Sequence, residues 1–242
     1  MREMWSTAKY RLQCYFKGYT FAMPVIVVCI FLRFMYSIKP MDIVSGYLIT
    51  VHFLFLLMVW VGMTEMNRES RSMEQVLELR VHKTWAYFAG KMLFLFWLSL
   101  MMAGICTIWP FVQNIIEKGT FFNREYLPKD MINSFLLNLG SAYSGAMLGS
   151  FLHPDVYKDR KTAIALTVLA AILAELQGII ILNQPALKYI LWFLPNVAFA
   201  GLQYRNEKYF DLNVTLVYFC MLMFYAVVYG IVVSLWQYLR RR

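Results

Sequence analysis

The sequence predicts an all-α integral membrane protein, and three observations point to that class. Of its 242 residues, 60% are hydrophobic and 15% are charged, whereas soluble domains contain about a quarter charged residues. The mean hydropathy is +0.54. The apolar residues gather in runs of about 20, which is the length a helix needs to cross a bilayer. We expect a single membrane domain spanning residues 1–242, since the length corresponds to one unit.

Residues 1–20 contain a predicted amphipathic helix that lies in the membrane interface. At 100° per residue, Trp5, Leu12 and Phe16 share an apolar arc, and Lys9 and Lys17 lie on the opposite, basic side. A basic face toward headgroups and an apolar face toward acyl chains is typical of interfacial helices. The alternative is a solvated helix that contacts a partner protein.

Six apolar stretches follow, and each is near the length required of a transmembrane helix. A further stretch within residues 185–208 is too short to cross and contains Pro195 and Gly201, so we expect an outer re-entrant segment there. The six predicted spans are residues 19–36, 45–63, 85–112, 131–153, 162–182 and 212–239.

The distribution of Lys and Arg predicts the orientation. With an inner N-terminus, fourteen of these residues fall in inner segments and seven in outer ones. The positive-inside rule therefore places both termini in the cytoplasm of a multi-pass protein of the cell membrane, and we expect a bacterial source. The net charge of +9 is explained by this topology, so it does not indicate nucleic acid as a partner.

Small residues recur at helical spacing in the fourth and fifth predicted spans. Ser141, Gly145 and Gly149 repeat every four positions, and Ala174 and Gly178 lie on one face of the next helix. Such faces let helix backbones approach closely in lipid. Packing between neighbouring spans of the same chain is favoured over a special dimer contact.

Glu175 is the one acid deep inside a predicted span. Because a charge at the bilayer centre costs roughly 2.5–3.5 kcal/mol, the residue is a candidate for the translocation path, contacting substrate or relaying a proton. The alternative is a neutral or hydrogen-bonded Glu that fixes a helix contact. No Lys, Arg or His partner in another span is evident from the sequence, which weakens the case for a proton pump.

No motif for enzymatic chemistry is present. The sequence lacks a G-x-x-x-x-G-K-[ST] phosphate loop, and its three His and four Cys residues show no metal-ligand or disulfide spacing. Glu117, Glu125 and Asp130 alternate with basic residues, which indicates a solvated outer loop. We therefore expect no catalytic residue, no metal and no cofactor in this chain.

Residues 64–84 form the longest polar interval in the first half of the chain. Ser72 and Gln75 have capping-box spacing, which predicts a short helix at about 70–79. One face of that helix would be apolar and the opposite one charged. The residues concerned are Met73, Val76 and Leu77 on the apolar face, and Arg71, Glu74 and Glu78 on the charged face.

The order of interfacial helix, two spans, charged loop and four spans resembles the type-2 ABC-transporter permease family. In that family the loop resembles R-E-x-x-x-G-T-L-E-x-L-L-x-x-P and is followed by Gly-Lys. This sequence matches the pattern at Arg68-Glu69, at residues 73–77 and at Gly90-Lys91. It departs from the pattern at Arg71-Ser72, which replaces the Gly-Thr pair, and at Arg80, which replaces the proline. The resemblance implies that residues 64–84 are a cytoplasmic coupling loop, with Glu74 as the main polar contact. It also implies a separate nucleotide-binding subunit that carries ATP and Mg, and a second permease chain, identical or different.

The sequence therefore favours the permease subunit of an ATP-driven ABC exporter, in which a separate ATPase moves an amphipathic peptide, drug or lipid-like substrate outward. The alternative is a secondary transporter or channel that uses Glu175. A membrane enzyme is the third hypothesis, but it would need a His, Cys or carboxylate cluster at one membrane face.

Overall fold

The computed structural model describes residues 2–66, 84–151, 160–205 and 207–240, and within these ranges the chain is helical, without β-strands. The predicted all-α class is confirmed for this part of the chain. A 3₁₀ turn at Pro185–Leu187 accompanies the α-helices. The α-helices are α1 (Arg2–Lys17), α2 (Ala22–Met35), α3 (Ile43–Met66), α4 (Thr84–Ile116), α5 (Pro128–Phe151), α6 (Arg160–Asn183), α7 (Lys188–Leu191), α8 (Ala198–Gln203) and α9 (Leu212–Arg240).

Four of the described helices are long and apolar enough to cross a membrane, namely α3, α4, α6 and α9. A fifth span results if α1 and α2, which meet at a bend of 72°, are counted as one. The predicted fourth span corresponds to α5, a helix of 24 residues with a lower apolar content. Its Asn, Ser and Gly residues reduce its hydropathy, and they are tolerated because α5 is enclosed by protein.

Helix α5 forms the centre of the bundle, and it is buried continuously from Leu137 to Ser150. A Cβ on Gly149 would lie 2.1 Å from the carbonyl oxygen of Val59, and one on Gly145 would lie 2.5 Å from that of Phe55. The Ser141 hydroxyl donates to the carbonyl of Val51 on α3 at 2.8 Å. The small-residue face therefore packs against α3 of the same chain, as the sequence favoured, and it is not available for a dimer contact.

Helix α1 lies against the first turns of α4. Gly90 is required at the crossing, because a Cβ there would approach the side chain of Thr7 to 2.7 Å. The buried face of α1 includes Ala8 and Tyr15, which belong to the predicted apolar arc, but it also includes the charged residue Arg11, which does not. The other part of the arc stays at least partly exposed: Trp5 is 54% exposed, and Leu12 and Phe16 are half-buried.

Short helices connect α6 to α9. Helix α8 packs closely on α6, because a Cβ on Gly178 would meet Leu202 at 2.8 Å. The Gln177 amide donates to the carbonyl of Leu191 in α7 at 3.1 Å. These contacts hold the 185–203 segment against the end of α6 instead of leaving it as an extended loop.

The loop between α4 and α5 is not simply solvated, so this expectation was wrong for Asp130. The Asp130 side chain is buried and accepts two hydrogen bonds from Arg124, at 2.7 and 2.8 Å. The Arg124 Nε also donates to the carbonyl of Lys208, so the pair connects the start of α5 to the segment before α9. The hydrogen bond to Asp130 raises the pKa of Arg124 above its usual value.

Candidate functional site

The predicted path residue Glu175 contacts His52, which lies on a different helix. The Oε2 atom of Glu175 on α6 is 2.5 Å from the Nδ1 atom of His52 on α3. Neither residue lies at a helix end: at 1.5 Å per residue, each is about 12–14 Å from the end of its helix that adjoins the 185–203 segment. The structure thus places a hydrogen-bonded acid and imidazole, both partly buried, between two apolar helices.

The surroundings of the pair are asymmetric. The Oε1 atom of Glu175 is buried and has no hydrogen-bond partner among the residues that the structure describes. The Nε2 atom of His52 faces α8, where it lies 3.4 Å from the position that a Cβ on Gly201 would take. His52 is the more accessible partner, with 32% of its side chain exposed against 17% for Glu175. We define the His52–Glu175 pair as the intramembrane polar site.

The contact lets two polar side chains lie between apolar helices, because each is the hydrogen-bond partner of the other and neither is left isolated. An acid and an imidazole that meet across two helices can act as a structural tie between those helices. The same two groups can also bind or pass on a proton, which makes them a candidate for the translocation path.

The sequence argument that Glu175 has no partner in another span was wrong. His52 lies 123 positions earlier in the chain, on the third helix, and the two helices come together only in the folded bundle. The available signal was that His52 and Glu175 each fall inside an apolar run. Helical periodicity places a residue on a face of its own helix, and it does not indicate which helix that face meets.

Three buried ionisable side chains form a second polar region, at the other end of α3. Arg11 on α1, Glu65 on α3 and Lys91 on α4 line one small pocket. Their exposed fractions are 7%, 8% and 3%, so each charge is largely withdrawn from solvent. The Arg11 guanidinium donates to the Tyr87 hydroxyl at 3.2 Å, and the Lys91 ammonium lies 4.8 Å from the centre of the Tyr87 ring. We call Arg11, Glu65, Lys91 and Tyr87 the inner polar cluster.

The inner polar cluster borders the interval in which the sequence placed the coupling helix. The helix itself lies outside the described residues, as do all six residues predicted to contact an ATPase subunit: Arg71, Met73, Glu74, Val76, Leu77 and Glu78. The Gly90-Lys91 pair is described, and its two members have separate structural roles. Gly90 allows α1 to approach α4, and Lys91 belongs to the polar cluster.

Among the described residues, no group of three or more His, Cys, Asp or Glu side chains could hold a metal ion. No disulfide joins any of the four cysteines, which all lie within the described ranges, and Cys106 is buried. Comparison with family models, curated proteins and solved structures gives no match.

Proposed function

We propose that this chain is the permease subunit of an ATP-driven ABC exporter. The geometry that supports the proposal best is the inner polar cluster, because it joins α1, α3 and α4 at the two ends of the charged loop. Helices α3 and α4 flank residues 67–83, so a force applied to that loop would act on both helices. Glu65 and Lys91 lie near those two helix ends, and Arg11 connects them to α1.

In this proposal the chain has six spans: α1 serves as the elbow helix before α2, and α5 is the fourth span. Both termini are cytoplasmic, and 185–208 is an outer re-entrant segment. A separate ATPase subunit binds the coupling helix at about 70–79 and supplies ATP and Mg. In the most apolar stretch of α6, and likewise in that of α9, only 28% is buried within the chain. The remainder is apolar surface that lipid or a second permease chain can cover.

The substrate class remains the one that the sequence favours, an amphipathic peptide, drug or lipid-like molecule that moves outward. Nucleotide-driven movement of the coupling helix would shift α3 and α4 together and alter the intramembrane polar site, because His52 lies on α3. Glu175 would then contribute to the translocation path through its contact with His52.

The decisive experiment is co-purification with an ATPase encoded beside this chain, followed by Glu74→Arg. We expect the variant to lose complex formation or substrate-stimulated ATP hydrolysis while the membrane domain keeps its helical content by circular dichroism. The matched control is Glu125→Arg, which makes the same charge change at an exposed position of the predicted outer loop. A Glu74→Arg variant that retains both complex and stimulation would exclude the coupling role.

A second candidate function, a proton-coupled secondary transporter or channel, is favoured by the His52–Glu175 contact. An acid and an imidazole in contact within a helix bundle are typical parts of a proton relay. The test is uptake into proteoliposomes that contain this chain alone, with a pH gradient and no ATP. Transport that follows the gradient and disappears in Glu175→Gln would support this function over the exporter.

A further inference from the structure

Helices α1 and α4 enclose an apolar groove at the membrane-interface end of the bundle. Its volume is about 300 Å³, which is at the lower end of the range for small-molecule sites. Its walls are apolar and aromatic, with one basic side chain at the edge. The lining residues are Trp5, Ala8, Lys9 and Leu12 of α1, and Phe94 and Trp97 of α4.

Two tryptophans define one end of this groove. The rings of Trp5 and Trp97 meet edge to face, with their centroids 6.0 Å apart. Both side chains are substantially exposed, at 54% and 38%, and neither indole N–H has a hydrogen-bond partner among the residues described. Lys91 of the inner polar cluster lies six residues before Trp97, about 9 Å along α4, so the two indoles lie close to a polar end of the bundle. A position between apolar helices and a polar layer is typical of Trp residues that meet lipid headgroups.

Lys9 supplies the charge at the groove, so it lies beside Trp5 and Leu12 and not, as the sequence predicted, on the opposite side of α1. Its side chain is exposed, and it forms no ion pair with any residue in the described ranges. Arg2 is also exposed and lies seven residues earlier, which places it on the same side of α1 two turns away. A groove with apolar walls, indole donors and an unneutralised ammonium is complementary to an acyl chain attached to an anionic headgroup.

We propose that the α1–α4 groove is a binding site for an anionic phospholipid. One acyl chain lies between Trp5, Leu12 and Phe94, and the headgroup phosphate contacts the ammonium of Lys9. The indole N–H groups donate to the ester region of the lipid. Because α1 also carries Arg11 of the inner polar cluster on its buried face, the bound lipid would stabilise the position of α1 against α4.

The proposal explains a feature of α1 that its packing alone does not explain. The helix buries Ala8, Arg11 and Tyr15 against α4, and it leaves Trp5, Leu12 and Phe16 at least partly exposed. An apolar strip beside a buried face would be unfavourable in water, but it suits contact with an acyl chain. The basic residues Lys9 and Arg2 border that strip on its solvent side.

Native mass spectrometry of the full-length protein, purified with equimolar phosphatidylglycerol and phosphatidylcholine of the same acyl chains, tests the proposal. We expect wild-type protein to retain phosphatidylglycerol preferentially, and Lys9→Ala to reduce that preference about five-fold, the equivalent of about 1 kcal/mol for one Lys near an anionic surface. Lys17→Ala is the matched control, because Lys17 is an exposed lysine of α1 outside the groove. Equal retention of both lipids by the wild type, or equal loss in the Lys9 and Lys17 variants, would overturn the proposal.

A second measurement tests the apolar part of the site. Trp5→Ala removes one wall of the groove, and we expect several-fold lower retention of both lipids. Trp60→Ala, which removes an exposed tryptophan from α3, should leave retention unchanged. Circular dichroism and size-exclusion chromatography establish that each variant is folded before lipids are counted. Unchanged retention in a folded Trp5→Ala variant would contradict an acyl chain in this groove.

Discussion

His52 and Glu175 are joined by a 2.5 Å contact between α3 and α6, although 123 positions separate them in the sequence. The contact is the polar link between two helices whose other nearby residues are mostly apolar. It also lies beside Gly201 of α8, so three elements meet at this point. Loss of this contact would therefore act on α3, α6 and the 185–203 segment together.

The first prediction concerns the energetic coupling of this pair. We expect His52→Ala and Glu175→Ala each to destabilise the bundle, and a double-mutant cycle to give a coupling free energy of about 0.6–1.7 kcal/mol. That range applies to hydrogen bonds between membrane helices, whose unfolded reference state also finds polar partners. Unfolding in mixed micelles, followed by circular dichroism, measures all four variants.

The conservative variant Glu175→Gln separates a structural role from a protonation role. A Gln can still accept a hydrogen bond from His52 but cannot release a proton, so a structural tie predicts near-normal transport. Glu125→Gln, at an exposed position, should change the unfolding free energy by less than about 0.5 kcal/mol. Full loss of transport in a stable Glu175→Gln variant would rule out a purely structural role for Glu175. In the double-mutant cycle, a coupling free energy near zero would contradict the contact between His52 and Glu175.

Helix positions could be predicted from the sequence because hydropathy and turn residues act locally. Each of the six predicted spans overlaps a described helix, and Pro110 lies inside the continuous α4 without ending it. Helix α5 differs from the other predicted spans because it contains more polar residues. These residues are stabilised by their contacts with the helices that surround α5. Ser141, for example, donates to a carbonyl of α3.

Pairings between distant helices could not be predicted, because they depend on how the bundle assembles. The burial of Arg11 illustrates this: the periodicity of α1 placed no charge on its apolar arc, yet the crossing at Gly90 turns Arg11 toward Tyr87. The same limit applies to Asp130, which the sequence placed in a solvated loop. Its partner Arg124 is only six positions away, but its burial depends on the segment before α9.

The second prediction concerns the close approach of α3 and α5. In Gly149→Ala the new methyl group would lie 2.1 Å from the Val59 carbonyl oxygen, so the helices must separate. We expect the free energy of unfolding to fall by about 1–3 kcal/mol, which is typical of overpacking. Gly104→Ala is the control, because a Cβ there meets no atom within 4 Å. That variant should be neutral or more stable by up to about 1 kcal/mol, and equal effects in the two variants would contradict the close crossing.

The third prediction concerns the Arg124–Asp130 pair. We expect Arg124→Lys to lower the unfolding free energy by about 1.5–3 kcal/mol, because an ammonium cannot make the two parallel hydrogen bonds. The raised pKa of Arg124 means that its stabilising contribution is complete below its ordinary pKa and is lost only as pH rises through the higher value. The difference between wild type and Arg124→Lys should therefore be constant from about pH 7 to 9. Arg205→Lys, at an exposed position, is the control. An effect of the same size there would contradict a special role for Arg124.

The fourth prediction concerns orientation, on which the coupling hypothesis depends. In a variant without native cysteines, we expect Glu125→Cys to react with a membrane-impermeant maleimide in intact cells. Ser6→Cys, on the exposed side of α1, should react only after the cells are permeabilised. We expect this labelling pattern because Lys and Arg are in excess near the N-terminus and in the charged loop, and an excess of these residues favours the cytoplasmic side of a membrane. The reverse labelling pattern would place residues 64–84 outside the cell, where no cytoplasmic ATPase could reach them. That result would exclude the exporter while leaving the His52–Glu175 contact, and with it the secondary transporter, intact.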